Sequence, residues 1–196
     1  YIRVQGMEIT NTPELTGAVG YGGGIAWVGS SGGNIEVVDV HIHGGAENGV
    51  LVEGAWSGTT IPNNFEIRDS RINDNGWHGF LVRNGVGTVD IHHNTIHNNG
   101  WAKEGNGIFA GASGDRAAEN LRIAYNTIYD HPIKGHMNVS GNGIMIEGNY
   151  CYSTVVQSFG VMVATEYFGS TRVTRDVTIK NNVIDVEGQY EGAIRI

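Results

Sequence analysis

The stretch NLRIAYNTIYD (residues 120–130) places the polar Asn126 between an apolar pair, Leu121 and Ile123, and a further apolar residue, Ile128. Similar phrases stand elsewhere in the chain as TVDIHHNTIHN, GIMIEGNYCYS and DVTIKNNVIDV. Apolar residues that alternate with polar ones indicate a short strand with side chains on two opposite faces. A pattern that keeps its phase through such different sequences indicates a repeated structural unit.

The repeat occurs in seven copies when the apolar pair, the turn position and the next apolar residue are aligned. The copies are Ile2/Val4, Met7, Ile9; Ile35/Val37, Val40, Ile42; Phe65/Ile67, Ser70, Ile72; Val89/Ile91, Asn94, Ile96; Leu121/Ile123, Asn126, Ile128; Ile144/Ile146, Asn149, Cys151; and Val177/Ile179, Asn182, Ile184. Each copy is followed by a third short strand that Gly leads, namely GIAWV, GVLVE, GFLVR, GIFAG, GHMNV, GVMVA and GAIRI. A spacing of roughly 23 to 33 residues between copies is typical of solenoid coils that differ in their loops.

Three short strands per coil predict an all-β fold, a right-handed parallel β-helix of about seven coils that forms a single domain over residues 1–196. We expect Asn94, Asn126, Asn149 and Asn182 to stack inward at one turn and to hydrogen-bond to one another. Asn suits such a turn because it tolerates the left-handed backbone region better than most residues. Cys151 falls on a core position, where a thiol acts as a small hydrophobe.

Composition agrees with many strands and tight turns. The 196 residues include 31 Gly and only 3 Pro, and 16% of the residues are charged. A net charge of −8 without a basic stripe disfavours a nucleic-acid partner. That charge is compatible with Ca²⁺ as a cofactor or with a neutral sugar, and it does not choose between them.

Neither end of the chain carries a segment that would cap a β-helix. The outermost strands would expose unpaired backbone edges, which solenoids normally cover. We therefore expect the chain to be part of a longer protein or to have its ends covered by something else. No stretch is long and apolar enough to predict a membrane span.

The repeat resembles the pectate-lyase-like family of parallel β-helices over essentially the whole chain. Members include polysaccharide lyases, glycoside hydrolases, mannuronan epimerases and phage tailspike depolymerases. The resemblance implies the scaffold and suggests a carbohydrate substrate, usually bound along the outer face of one sheet between the longer loops. Clustered Asp residues beside a Lys or Arg base, which would indicate pectate cleavage, are not evident here.

Reactive side chains concentrate on the outer face of the Gly-led strands and in the loops that enter them. The candidate catalytic residues are Arg83, Lys103, Asp130, His131, Lys134 and His136. The candidate substrate-binding residues are Glu53, Trp77, His78, Trp101 and Glu104. Leu51, Leu81, Phe109 and Met162 are expected on the same outer face as an exposed apolar stripe, for a covering loop, a partner subunit or a ligand.

These residue types fit chemistry on a uronate polymer. A sugar lyase or epimerase needs a base for the proton beside the carboxylate and a cation for the resulting enolate. His131, Lys134 or His136 could be the base, and Arg83 or Lys103 could bind the carboxylate. A hydrolase would instead use two carboxylates, for which Glu53, Glu104 and Asp130 are the candidates. The ordinary alternative is that these are solvated or packed loop residues.

A second row of side chains points outward from the strand after the asparagine turn. Its members are His43, Asn73, His97, Tyr129 and Tyr152. His41 and His43 share one face, as the ligands of a metal site can, but no third ligand has a fixed spacing. We therefore assign no metal site and interpret the row as cross-strand packing.

The sequence thus favours an extracellular or cell-surface protein that acts on an acidic polysaccharide as a lyase or epimerase. The alternative is a non-catalytic fibre, adhesin or tailspike shaft that forms homo-oligomers or stacks end to end.

Overall fold

The computed structural model is built from strands alone in the part of the chain that it describes. That part comprises residues 1–10, 22–28, 33–54, 64–83, 87–111, 118–155, 159–164, 174–186 and 192–196. Its strands form two parallel sheets, one of thirteen strands and one of seven. The prediction of an all-β fold of stacked parallel strands is therefore confirmed.

The thirteen-stranded sheet bends at a corner and provides two faces of the coil, and the seven-stranded sheet provides the third. Face 1 contains the first halves of β1 (Ile2–Thr10) and β3 (Ile35–His43), then β5 (Phe65–Arg68), β8 (Val89–His92), β11 (Ala118–Glu119), β12 (Leu121–Ala124), β15 (Gly141–Glu147) and β18 (Arg175–Lys180). Face 2 contains the second halves of β1 and β3, then β6 (Arg71–Asn73), β9 (Thr95–His97), β13 (Thr127–Tyr129), β16 (Tyr150–Ser153) and β19 (Val183–Val186). Face 3 contains β2 (Gly23–Val28), β4 (Asn48–Glu53), β7 (Phe80–Arg83), β10 (Ile108–Gly111), β14 (Gly135–Val139), β17 (Phe159–Val163) and β20 (Ile194–Arg195).

The strands pair in a register that stacks like residues on one another. On face 1, Ile67, Ile91 and Ile123 lie in one column. On face 2, Ile128 aligns with Cys151, which is fully buried in the core. Burial of such columns removes their apolar surface from water, which is the main stabilising term of such a coil.

The corner between faces 1 and 2, here called the first corner, is built on a stack of amides. The main-chain N–H of Asn94 donates to Oδ1 of Asn126 at 2.9 Å, and that of Asn126 donates to Oδ1 of Asn149 at 3.0 Å. The main-chain N–H of Asn149 donates in the same way to Asn182 at 2.8 Å, and that of Ser70 to Asn94 at 3.0 Å. Each Nδ2 also donates to a strand carbonyl, as Asn126 does to Ile91 at 2.8 Å. The stacked amides therefore satisfy one another inside the bore.

The residue that leaves the β region at this corner is not the stacked Asn. It is the residue before it, which has a positive φ: Asp39, Asp69, His93, Tyr125, Gly148 and Asn181 in successive coils. Our expectation that the stacked Asn itself takes the left-handed conformation was wrong. The Asn is selected by its side-chain hydrogen bonds, and the bend is made one position earlier.

The corner between faces 2 and 3, here called the second corner, carries a further stack that the sequence did not reveal. The main-chain N–H of Asn75 donates to Oδ1 of Asn99, and the main-chain N–H of Asn99 donates to Nδ1 of His131, both at 3.2 Å. Gly45 donates to Oδ1 of Asn75 at 3.2 Å at the other end. Left-handed residues again precede the stacked positions, as Asp74, Asn98 and Asp130 do here.

This second stack explains why Gly leads the strands of face 3. A Cβ on Gly79 would lie 2.6 Å from the carbonyl oxygen of Gly107 and 2.9 Å from Nδ2 of Asn99. A Cβ on Gly107 would lie 2.5 Å from Nε2 of His131. No side chain fits at such distances, so the close approach of chain and stack requires Gly.

Three of the four side chains of the apolar stripe predicted on the outer side of face 3 are buried, and the fourth, Met162, is half-buried. Leu51, Leu81 and Phe109 form a hydrophobic cluster separate from the main core, and at most 8% of each is accessible. These three side chains are therefore not available to a partner subunit. Among the residues described, no helix is long and apolar enough to cross a membrane.

Candidate functional site

The loops of the second corner carry five of the predicted site residues, which follow one another from coil to coil. We call this surface the turn ridge, and its members are Trp77, Trp101, Lys103, Glu104 and Lys134. They lie between β6 and β7, between β9 and β10, and between β13 and β14, and hence on three consecutive coils. The ridge thus extends from coil to coil.

Both indole rings of the ridge are held by hydrogen bonds to the main chain of a neighbouring coil. Nε1 of Trp77 donates to the carbonyl of Glu104 at 3.2 Å, and Nε1 of Trp101 donates to that of Asp74 at 3.1 Å. Trp101 nevertheless remains 55% exposed. Its ring is therefore fixed in position while a large apolar area faces solvent.

Both lysines of the ridge are paired with carboxylates. The ammonium of Lys134 lies 2.9 Å from a carboxylate oxygen of Glu104, and both side chains are well exposed. Lys103 forms an ion pair with the buried Glu47, and its ammonium lies 5.8 Å from the centre of the Trp77 ring. An exposed pair such as Lys134–Glu104 contributes little to stability, so Lys134 can change its partner at a small cost in free energy.

A buried layer lies beneath the ridge, on the outer side of face 3. The Nε of Arg83 lies 3.1 Å from a carboxylate oxygen of Glu53, which is fully buried. The ring of His78 is stacked between Trp77, at 4.7 Å, and Phe109, at 4.9 Å. Glu53 and His78 were expected to line an open cleft; the structure instead encloses both.

The three histidines of the predicted cleft are all inside the protein. Burial lowers the pKa of His78 to about 3 and that of His131 to about 4, and it holds the pKa of His136 well below its ordinary value. His131 belongs to the second-corner stack, and the ring of His136 meets it edge-on at 5.6 Å. None of the three is accessible from outside the protein, so we do not assign a base among them.

Asp130 makes its described contacts with the main chain and with Thr154 rather than with the ridge lysines. It is one of the left-handed residues of the second corner, with φ 52°, and its carboxylate accepts from the main-chain N–H of Thr154 at 2.7 Å. The side chain therefore joins its own coil to the next one. A structural role accounts for these contacts.

The outward row on face 2 packs as a stack of rings. His97 lies 4.6 Å from Tyr129 at an interplanar angle of 5°, and Tyr129 lies 4.7 Å from Tyr152 at 7°. Near the start of this row, Glu8 contacts His43, a neighbour that the sequence did not point out. The register aligns Glu8 with His41, and the repeat alignment could have shown this, because both residues follow the turn position directly.

Comparison with known proteins places the chain among the β-helices. The family model described as "Right handed beta helix region" matches residues 23–194. No curated protein sequence matches the chain. A solved structure, the A-module of the Azotobacter vinelandii mannuronan C-5 epimerase AlgE4, is similar at a TM-score of 0.66 and 16% identity, over 89% of this chain and 46% of that one. This chain thus spans less than half of that structure, and at such low identity the likeness shows the fold alone. The match of the family model over most of the sequence shows that the chain belongs to the family of right-handed β-helix proteins.

Proposed function

We propose that this β-helix is a carbohydrate-active protein that binds an acidic polysaccharide along the turn ridge. The observation that carries the proposal is the pair of fixed indole rings, one of them 55% exposed, with the ammonium of Lys103 5.8 Å from the Trp77 ring and the Lys134–Glu104 ion pair joining two neighbouring coils. The similar structure named above is an epimerase of mannuronan, and that name is consistent with a uronate polymer.

The indole rings suit sugar rings because both present flat apolar surfaces with polar edges. A tryptophan whose N–H is already bonded loses little conformational freedom on binding, so its contact area contributes efficiently to affinity. Trp101 provides the larger exposed surface of the two. Consecutive sugars of one chain could therefore contact Trp101 and Trp77 in turn.

The lysines suit the carboxylate of a uronate. Among the described residues, the ion-pair partner of Lys134 is the exposed carboxylate of Glu104, at 2.9 Å, and a polymer carboxylate can replace it without leaving a buried charge unpaired. Lys103 differs because its partner Glu47 is buried and would lose its cation. We therefore assign carboxylate binding to Lys134 first and to Lys103 second.

The chemistry that follows binding is a lyase or epimerase reaction in this proposal. Both reactions begin with removal of the proton beside the carboxylate, and both need a cation that stabilises the enolate. Lys103 and Lys134 are the cations on the ridge, and Arg83 lies below it in its pair with Glu53. Ca²⁺ bound with the substrate would serve the same purpose. This role places the protein outside the cell or on its surface, where such polymers occur.

A non-catalytic binding module is the second candidate. Enclosure of His78, His131 and His136 favours it, since the described residues of the ridge then bind charge and sugar without an accessible imidazole. Leu51, Leu81 and Phe109 are buried within the chain, so these three side chains do not support assembly through the apolar strand face.

A binding screen tests the proposal. The wild-type protein is titrated with mannuronate, guluronate and galacturonate oligomers and with a neutral glucan, with and without Ca²⁺. We expect one or more of the uronates to bind better than the glucan. Replacement of Trp101 by Ala should weaken that binding about fivefold or more, as loss of a central aromatic contact does.

Tyr125→Ala provides the matched control, because Tyr125 is an exposed aromatic residue of the first corner, away from the ridge. Its affinity should equal that of the wild type. Products are followed by ultraviolet absorbance for a lyase and by nuclear magnetic resonance for an epimerase; binding without either product identifies the binding module. Failure of every uronate to bind, or equal affinity of the Trp101→Ala and wild-type proteins, would refute the ridge as the site.

A further inference from the structure

A cluster of metal-ligating side chains lies at the start of face 2, apart from the turn ridge. His41 and His43 are two residues apart on β3, so their side chains point out of the same side of the sheet. Glu8 lies on β1 directly beside His41 in the parallel register. The strand pairing thus supplies, from the adjacent coil, the third group that spacing along the sequence did not show.

The ligand atoms of these three residues already lie close together. One nitrogen of each histidine and a carboxylate oxygen of Glu8 all lie within 4.8 Å of one another. Nε2 of His43 lies 2.8 Å from Oε1 of Glu8, and the two imidazole rings lie 4.2 Å apart. Asn73 offers a fourth ligand atom, because its Oδ1 lies 2.9 Å from Nε2 of His41.

The surroundings favour a cation and leave it a route of entry. An open groove of about 650 Å³ along the first corner is lined by Glu8 and His41, by the carboxylate-bearing Asp39 and Asp69, and by Arg71. Arg71 follows His41 in the same column, but its Nε donates to Nε2 of His97 at 3.2 Å, toward the neighbouring column.

We propose that Glu8, His41 and His43 form a binding site for one divalent transition-metal ion, with Zn²⁺ as its best probe. Two imidazoles and one carboxylate are a common ligand set for Zn²⁺, with a fourth position left for water or for Asn73. Imidazole nitrogen disfavours Ca²⁺ and Mg²⁺, which take oxygen ligands. The site is distinct from any Ca²⁺ that the turn ridge would use.

Binding requires small movements only. The two rings are now stacked at 25° to each other, so they must rotate about the bond to the ring for their nitrogens to converge on one ion. Both rings lie on the outer side of the sheet, and Glu8 has a side chain that is 64% exposed. The ion would then join β1 to β3 and tie the first described coil to the second.

Zn²⁺ binding to protein without a histidine tag, after treatment with a chelator, tests the proposal. Calorimetry should give one Zn²⁺ per chain, and Ca²⁺ should not compete. Co²⁺ in place of Zn²⁺ should give visible absorption bands, because nitrogen and oxygen ligands surround it in a low-symmetry site. Zn²⁺ should also raise the midpoint of thermal unfolding until one equivalent is bound.

Three variants identify the ligands. His43→Ala and His41→Ala should each weaken Zn²⁺ binding more than about 100-fold, which exceeds the roughly 10- to 100-fold effect of residues behind the ligands. Glu8→Gln keeps an exposed side chain of the same shape and should bind less tightly than the wild type, so it tests the site even if a histidine variant folds poorly.

His92→Ala is the matched control, because His92 also contacts a glutamate, Glu66 at 3.0 Å, outside the proposed site. It should bind Zn²⁺ like the wild type. The proposal is overturned if the wild type binds no Zn²⁺, if the His41→Ala/His43→Ala double variant binds it equally well, or if Glu8→Gln leaves the affinity unchanged.

Discussion

Acid should destabilise this protein through His131, and the size of the effect can be worked from the structure. Nδ1 of His131 accepts the main-chain N–H of Asn99 at 3.2 Å, so the ring must remain neutral to keep its place in the second-corner stack. Burial lowers its pKa from 6.5 to about 4. Protonation of the folded protein is therefore resisted, whereas the unfolded chain accepts the proton readily.

The direction of the effect follows from this difference. Between pH 6.5 and pH 4 the unfolded chain binds more protons than the folded protein at this position, so stability is complete above about pH 6.5 and falls as the pH falls. From pH 8 to pH 5 the loss is about 2 kcal/mol, at about 1.4 kcal/mol per pH unit over the roughly 1.5 units below 6.5. His78, which has a pKa of about 3, adds a similar loss to every variant that retains it.

The substitution His131→Asn isolates the effect. Asparagine does not titrate, and its Oδ1 can accept the N–H of Asn99 as Asn99 does for Asn75. Urea unfolding at pH 8 and at pH 5 measures the two free energies of unfolding. We expect the loss between these pH values to be about 2 kcal/mol smaller in His131→Asn than in the wild type.

Asn99→Ser is the matched control, because it damages the same stack and retains the titrating ring. It should be less stable at both pH values and should keep the loss between them. Equal losses in His131→Asn and in the wild type would refute the reasoning, since they would show that the ring is not held neutral by the fold.

Two further predictions concern the core and the close approach of the coils. Gly79→Ala should lower the free energy of unfolding by about 2 kcal/mol or more, because its Cβ would lie 2.6 Å from the carbonyl oxygen of Gly107. Gly33→Ala is the control and should change stability little, because a Cβ there would meet no atom within 4 Å. Thermal unfolding compares the two variants. A stable Gly79→Ala protein would contradict the proposed packing. Cys151 is fully buried and burial raises its pKa to about 12, so at pH 8 a thiol reagent should label it only at the rate of unfolding. Rapid labelling in the absence of urea would show that the core opens around Cys151.

The sequence predicted the coil because its signal is strictly local and repeated. Asn126 stands at the same offset from its apolar neighbours as Asn94 and Asn149, and the hydrogen bonds among these residues require that offset. The Gly-led strands were visible for the same reason, although the atoms that exclude a side chain at Gly79 lie on another coil.

The second corner was missed because its members differ in type. Positions 75, 99 and 131 follow positions 70, 94 and 126 at a constant offset, but His131 breaks the run of asparagines and stands among charged loop residues. Taken alone it suggests an exposed base, and only its burial shows that it is a stacked residue. The alternation of residues along a strand predicts which side chains point outward, but it does not predict whether they are exposed. Leu81 and Glu53 point outward from face 3 and are buried.

The amides of the first corner all point the same way. From Ser70 onward, each main-chain N–H donates to the side-chain oxygen of the following coil, up to Asn182. Each junction is therefore chemically the same as the next. A whole coil can be duplicated or deleted in evolution, and every remaining amide still finds its partner, so the length of the rod is a modular property of this architecture.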